Sequence, residues 1–265
     1  MPSIRELIDK TQAGKRAKSF PLMWGYSWHR SISVYLTWFL LKLFPRIKPQ
    51  QVSCLMIVIG LAGAFIILLE SSFTSGAFAI SGFLAIYLSF LLDKSDGEIA
   101  RFKHLHSLRG IYLDELYHTL VPISMLIAVY FISVSGSLRG MGFLMLAVIL
   151  TLLIRYHRKA SLMLFVKNNK LITEGKLDQY EGNRYIKIIF NFSFIKISSV
   201  VERFDIVLVL LFGAWLSEYY FGIVALPQYL VVYTFLSLIH FVRIVALNYY
   251  GGIDSEVRRL EHKGY

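Results

Sequence analysis

Cysteine is almost absent: Cys54 is the only one in 265 residues. No internal disulfide can form, and the place of Cys54 inside an apolar run makes it a small buried or lipid-facing residue with no redox role. Acidic residues are scarce beside basic ones, 17 Asp and Glu against 28 Lys and Arg, for a formal charge of +11. Such an excess raises the question of nucleic acid. No recognisable nucleic-acid module is present, however, and the basic residues are spread over loops instead of forming one groove-shaped element. Internal repeats, low-complexity segments and a soluble second domain are missing too. Arg5, Lys10, Lys15, Arg16 and Lys18 are followed by no apolar core with a small-residue cleavage site, so a secretory signal peptide is not expected.

What the chain has in abundance is apolar surface. Hydrophobic residues make up 56% of it and the mean hydropathy is +0.57, against roughly 45 to 50% apolar residues in soluble domains. An integral membrane protein follows. Residues 1 to 20 carry Ile4, Leu7 and Ile8 at helical spacing among basic residues, which suits either a short helix on the membrane face or a solvated basic tail. The run from 24 to 44 is interrupted by His29, Arg30 and Lys42 and reads as an interfacial helix that enters the bundle obliquely, with Pro45 and Pro49 ending it. Six spans are expected at about 52–70, 77–101, 110–132, 141–165, 204–221 and 228–248. The polar stretch 166–203 between the fourth and fifth reads as surface-lying.

The expected fold is therefore all-α: an integral membrane bundle of six transmembrane helices preceded by an N-terminal interfacial helix. Residues 1–48 form the interfacial part, 49–250 the transmembrane domain and 251–265 a polar tail. This topology leaves Arg139 as the one basic residue on the outer face, so the positive-inside rule puts both termini in the cytoplasm. The same rule accounts for the charge of the chain. Trp215, Tyr219, Tyr220 and Phe221 outside, with Tyr249 and Tyr250 inside, fit the two aromatic belts.

One stretch, LDKSDGEIARFKHLHSLRGIYLDELYHTLVP from Leu92 to Pro122, sets carboxylates at the ends of two apolar segments, where they are expensive without compensation. Asp93, Asp96, Gly97 and Ala100 share one helical face with Arg101 close by, and Gly110, Asp114 and His118 share a face of the next helix. Antiparallel packing brings three carboxylates and an imidazole to one mouth of the bundle. Clustered carboxylates repel unless a cation sits among them, and hard oxygen donors favour Mg2+, Mn2+ or Ca2+. Gly97 and Gly110 would let a nucleotide or phosphate approach the backbone, and Arg101 could pair with phosphate, Asp96 or Glu98. Glu98 and Glu115 fall off the shared face. Lys94, Lys103 and Arg109 read as snorkelling interfacial cations, and His104 and His106 as solvated loop histidines.

The spacing D-x2-D-G-x2-A-R-x8-G-x3-D, carried by Asp93, Asp96, Gly97, Ala100, Arg101, Gly110 and Asp114, resembles the signature of the CDP-alcohol phosphotransferases. The family pattern ends on a fourth Asp after three further residues, and His118 stands there. The resemblance implies transfer of a substituted phosphate, most simply phosphatidyl from CDP-diacylglycerol, to a small alcohol or alcohol phosphate with release of CMP, in a six-span homodimer. It implies that Asp93, Asp96 and Asp114 hold Mg2+ or Mn2+, with His118 joining them, and that His118 and Asp114 form the catalytic pair. Gly97, Ala100, Arg101 and Gly110 would frame the CDP moiety. KPQQVS at 48–53 is similar to the family's approach to its first span and adds Gln50 to the nucleotide-binding set.

Several readings stay open. His118 can be the general base, a ligand that shifts preference towards Mn2+, or the mark of a site that binds a CDP-lipid without turning it over. Arg155, Arg158 and Lys159 could take a phosphorylated acceptor or serve only as positive-inside anchors. Arg243, with His240 one turn away, is either a phosphate contact or a snorkelling cation. The donor could be a CDP-linked head group with a lipid alcohol as acceptor, and acids on facing helices can also mark a cation path.

Overall fold

The computed structural model describes residues 2–12, 24–73, 75–105, 107–133, 138–173 and 198–247. Among these every regular element is helical, and six helices are long and apolar enough to cross a membrane. The chain divides into two compact units, residues 1–135 and 136–265.

The first unit contains α1 (Ile4–Gln12), α2 (Trp24–Leu43), α3 (Pro49–Phe73), α4 (Ala77–Phe102) and α5 (Leu108–Ser133). Pro45 lies just beyond α2, whereas Pro49 opens α3 as its first residue, where a missing N–H costs nothing. The expected break at Pro49 is thus the start of the first span. Helices α3 and α4 approach closely through small residues. A Cβ on Gly82 would lie 2.6 Å from the Gly63 carbonyl oxygen, and one on Gly63 would lie 2.8 Å from that of Gly82. Small residues serve this purpose in membranes, where burial of apolar surface does not drive helices together. Val58, Phe65 and Leu84 on the other faces are exposed in this chain, as lipid-facing side chains would be.

The α3–α4 connection is fixed by a buried carboxylate. Glu70 accepts the Gly76 N–H at 2.5 Å and the Ala79 N–H at 3.1 Å, so two donors at the start of α4 that lack helical partners end on a negative charge. Gly76, with φ 72°, supplies the left-handed residue that the turn needs. Glu70→Ala is expected to lower stability by about 1–3 kcal/mol, the scale of leaving buried donors unpaired, as read by thermal unfolding in detergent.

Both N-terminal helices dock on α4 through one buried acid. Glu98 is fully buried and accepts from Gln12 Nε2 at 2.8 Å, Ser33 Oγ at 2.8 Å and Thr37 Oγ1 at 2.7 Å. Leu7 is also fully buried, with Thr11 and Gln12 nearly so. Residues 4–12 are therefore the short helix and not a solvated tail, and the buried face of that helix finds its partners inside the unit. His29 adds a contact to Tyr87, Nδ1 to hydroxyl at 3.1 Å, and meets Phe90 edge-on.

Lys103 is not a snorkelling cation. Its Nζ donates to the carbonyls of Pro45 and Ile47 at 2.8 and 2.7 Å, tying the end of α4 to the α2–α3 turn, and burial lowers its pKa. His104 is exposed at φ 53°, whereas His106 lies outside the described residues.

The second unit holds α6 (Leu138–Thr173), a 3-10 turn (Ser198–Glu202), α7 (Phe204–Phe221) and α8 (Leu226–Leu247). Helix α6 runs eight residues past the expected end of the fourth span. The surface segment expected at 166–203 falls mostly on residues outside those described, as do the tail at 251–265, Tyr249 and Tyr250. Gly222 closes α7 in the left-handed conformation, with the Ile223 N–H reaching back to the Ser217 carbonyl at 3.3 Å. Trp215, expected in an aromatic belt, is buried and stacked between Phe212 and Tyr219. Tyr219, Tyr220 and Phe221 are exposed.

Candidate active site

The motif lies in the first unit, where the C-terminal end of α4 meets the N-terminal half of α5. The two helices are joined by residues 103–107, and Ser107 sets the entry of α5. Its Oγ accepts the Gly110 N–H at 3.0 Å, an N-cap, and accepts from Gln50 Nε2 at 2.7 Å. This connection fixes the register in which α5 presents Asp114 and His118, one turn apart, towards α4. Further along, Pro122 lacks the N–H that would otherwise bond the His118 carbonyl.

His118 Nε2 lies 3.3 Å from Asp93 Oδ1 and 3.6 Å from Asp114 Oδ1. Asp93 is nearly enclosed, with its side chain 4% exposed, while that of Asp114 is 48% exposed. Lys94 Nζ pairs with the other oxygen of Asp93 and lies 4.6 Å from the centroid of the Phe90 ring. The expectation of a snorkelling Lys94 is therefore corrected: its ammonium is a counter-ion within the site. Beneath this group the Tyr117 hydroxyl sits 3.3 Å from Ser89 Oγ, wholly buried.

Asp96 is held differently. Its Oδ2 accepts from Ser53 Oγ on α3 at 2.7 Å, and Asp96 is not part of the tightest donor group. Asp93, Asp114 and His118 each offer one ligand atom, all within 4.8 Å of one another. Two carboxylate oxygens and an imidazole nitrogen suit a divalent cation, and an imidazole suits Mn2+ better than Mg2+. The residues present thus fit a metal.

All eight positions of the motif open onto one cavity of about 410 Å³: Asp93, Asp96, Gly97, Ala100, Arg101, Gly110, Asp114 and His118 line it. Its remaining wall includes Arg30, Ser53, Lys94 and Ser107. Glu98 and Glu115 are not among the lining residues, in keeping with their place off the shared face. Gln50 is not among them either; its amide reaches the cavity only through Ser107.

Arg101 reaches to another helix. Its Nε donates to the Thr11 carbonyl of α1 at 2.8 Å, and its guanidinium lies over Gly97, where a Cβ would come within 3.3 Å of Nη1. The absent side chain at Gly97 therefore makes room for Arg101 against the helix backbone. Arg30, read from the sequence only as an interruption in an apolar run, is buried and belongs to the cavity wall. Its signal was available, since an arginine inside an apolar helix asks for a purpose.

Of the expected acceptor group in the second unit, Arg155 is half-buried on α6, and only the helical backbone is described at Arg158 and Lys159. His240 is buried, with Nδ1 3.4 Å from Ser198 Oγ and Nε2 3.5 Å from Glu202 Oε1. This polar contact fastens the 3-10 turn to α8. Thr151 and Tyr233 add a second one between α6 and α8, hydroxyl to hydroxyl at 3.2 Å.

No curated protein matches the chain. The family model described as CDP-alcohol phosphatidyltransferase matches residues 46–216, more than half of the 265 residues, and the match includes α3, α4 and α5 in full. The aspartates and glycines that carry the resemblance lie within it and converge on one cavity; the chain belongs to the CDP-alcohol phosphatidyltransferase family.

Proposed function

We propose that this protein transfers a substituted phosphate, most simply a phosphatidyl group, from a CDP-linked donor to the hydroxyl of a small alcohol or alcohol phosphate, releasing CMP. The observation that carries this reading is the convergence of all eight motif positions on one cavity, with Asp93, Asp114 and His118 close enough to share a cation. Asp93 and Asp114 would hold Mg2+ or Mn2+, with Asp96 behind them on Ser53 and His118 beside them. When bound, such an ion neutralises a diphosphate and polarises the phosphorus under attack.

The chain's own groups do the rest. Arg101 and the backbone at Gly97, Ala100 and Gly110 frame the CDP moiety, with Gln50 supporting the wall through Ser107. His118 accepts the proton of the acceptor hydroxyl as its oxygen bonds to phosphorus, and the bond from phosphorus to the bridging oxygen breaks, leaving CMP. Asp114, one turn before His118, steadies the protonated imidazole. A second reading replaces the base by a ligand: His118 Nε2 lies close enough to both carboxylates to bind the ion, which would make Mn2+ the preferred metal and leave proton transfer to Asp114. Arg155, Arg158 and Lys159 are proposed to receive a phosphorylated acceptor.

On the distribution of Lys and Arg the site and both termini are proposed to be cytoplasmic; the inner membrane of the cell, and the homodimer that the resemblance implies, belong to the same proposal. Residues 49–250 would then be the catalytic domain.

The test is CMP release by the purified protein in vesicles, supplied with CDP-diacylglycerol and a panel of alcohols. Release should need both an acceptor and a divalent ion, stop on chelation with EDTA and return when Mg2+ or Mn2+ is added. The best acceptor then names the product. CDP-lipid binding without CMP release, with CDP-linked head groups also failing as donors, would overturn catalysis in favour of a binding protein. Metal flux without CDP chemistry would point to a cation path.

A further inference from the structure

The family match begins at residue 46, yet the cavity's two arginines are tied to elements before it. Arg30 is on α2, and Arg101 donates through Nε to the Thr11 carbonyl, one of the last of α1. The final carbonyls of a helix lack helical donors and form the negative end of its dipole. A guanidinium there is held by both charge and geometry.

Gln12, the next residue, is 1% exposed and bonded twice through Nε2, to Glu98 Oε1 at 2.8 Å and to the Arg30 carbonyl at 2.9 Å. Glu98 lies one helical turn before Arg101, so the side chain of Gln12 and the carbonyl of Thr11 grip successive turns of α4. One amide thereby connects the backbone at Arg30, the turn of α4 that carries Arg101 and the end of α1.

We propose that α1 is a positioning element for the donor's diphosphate: Gln12 locks the end of α1 onto Glu98 and the Arg30 backbone, and so sets the guanidiniums of Arg30 and Arg101 on the cavity wall. Two guanidiniums suit a diphosphate, whose oxygens accept paired N–H donors. Gln12 touches no substrate; it acts through the two arginines. The inference rests on the CDP reading of the cavity.

The experiment measures CDP binding by titration calorimetry in detergent with Mn2+ present, together with kcat and KM for CMP release. Gln12→Met keeps the length of the side chain and removes its donors. It should weaken CDP binding and raise KM for the CDP-linked donor about tenfold, within the range found for contacting residues that act as a unit, while kcat changes less than about twofold. In a background that carries both Arg30→Ala and Arg101→Ala the same substitution should change CDP binding little. Thr37→Val, which takes one donor from Glu98 without touching α1 or the Arg30 carbonyl, should lower the melting temperature and leave CDP affinity as it was. Gln12→Asn, with its amide one methylene short, gives the same reading if Gln12→Met does not fold.

An equal loss of affinity in both backgrounds would make Gln12 merely structural and overturn the proposal. So would unchanged affinity in the Gln12 variants when the wild type binds CDP. A wild type that neither binds CDP nor releases CMP would instead bring down the reading of the cavity on which the proposal stands.

Discussion

Asp93→Asn is expected to cut CMP release by about 10³-fold or more, equivalent to a loss of about 4 kcal/mol of transition-state stabilisation. Asp93 is the most enclosed acid of the site and the one on which two nitrogens converge, His118 Nε2 at one oxygen and Lys94 Nζ at the other. Asparagine keeps the shape and removes the charge. An amide oxygen is a weak partner for a divalent ion, so Mn2+ binding, followed by the electron paramagnetic resonance signal of the free ion, should fall together with activity. Folding should survive. Lys94 is 23% exposed and can turn its ammonium towards water when the carboxylate is gone, so the melting temperature should move by only a few degrees. Full activity in Asp93→Asn would remove the acid cluster from the reaction.

The second large effect belongs to His118. His118→Ala should lower kcat by roughly 10² to 10⁴-fold, the usual contribution of a positioned general base. His118→Asp should recover part of the loss, because it restores the carboxylate that the family pattern has at this position. A direct spectroscopic reading separates base from ligand. Mn2+ bound to the wild-type protein shows nitrogen modulation of its spin echo if His118 coordinates it, and the modulation disappears in His118→Asp. Absence of that nitrogen coupling, together with the loss of kcat, would assign His118 to proton transfer alone.

The positions of these residues were legible because both kinds of signal that mark them are local. Asp93, Asp96, Gly97 and Ala100 recur at helical spacing within one segment, Gly110, Asp114 and His118 within the next, and a short connector keeps the two halves of the motif at one end of the unit. The spans were legible for the same reason, since hydropathy is summed over a window shorter than a helix. Helix ends were less so: α6 continues to Thr173 through residues whose composition is polar, and α3 begins at Pro49, which reads equally well as a stop.

The partners of individual side chains were not legible. Lys94 beside Asp93 looks like any interfacial lysine until the rotamers place it on the carboxylate. Glu98 was rightly separated from the acids of the site, yet nothing in its neighbourhood points to Gln12, which is 86 residues away in the chain. Arg101 offered two acids within a turn, and the structure gives its Nε to a carbonyl of another helix. Long-range pairing of polar groups has no periodicity for a sequence to display.

The three-donor setting of Glu98 also bears on how the protein is made. Helices α1 and α2 are synthesised before α4, so Gln12, Ser33 and Thr37 already exist when Glu98 emerges. A carboxylate buried without partners is costly. Here its partners precede it in the chain, so α4 can be fastened at Glu98 as soon as it meets the helices that came first.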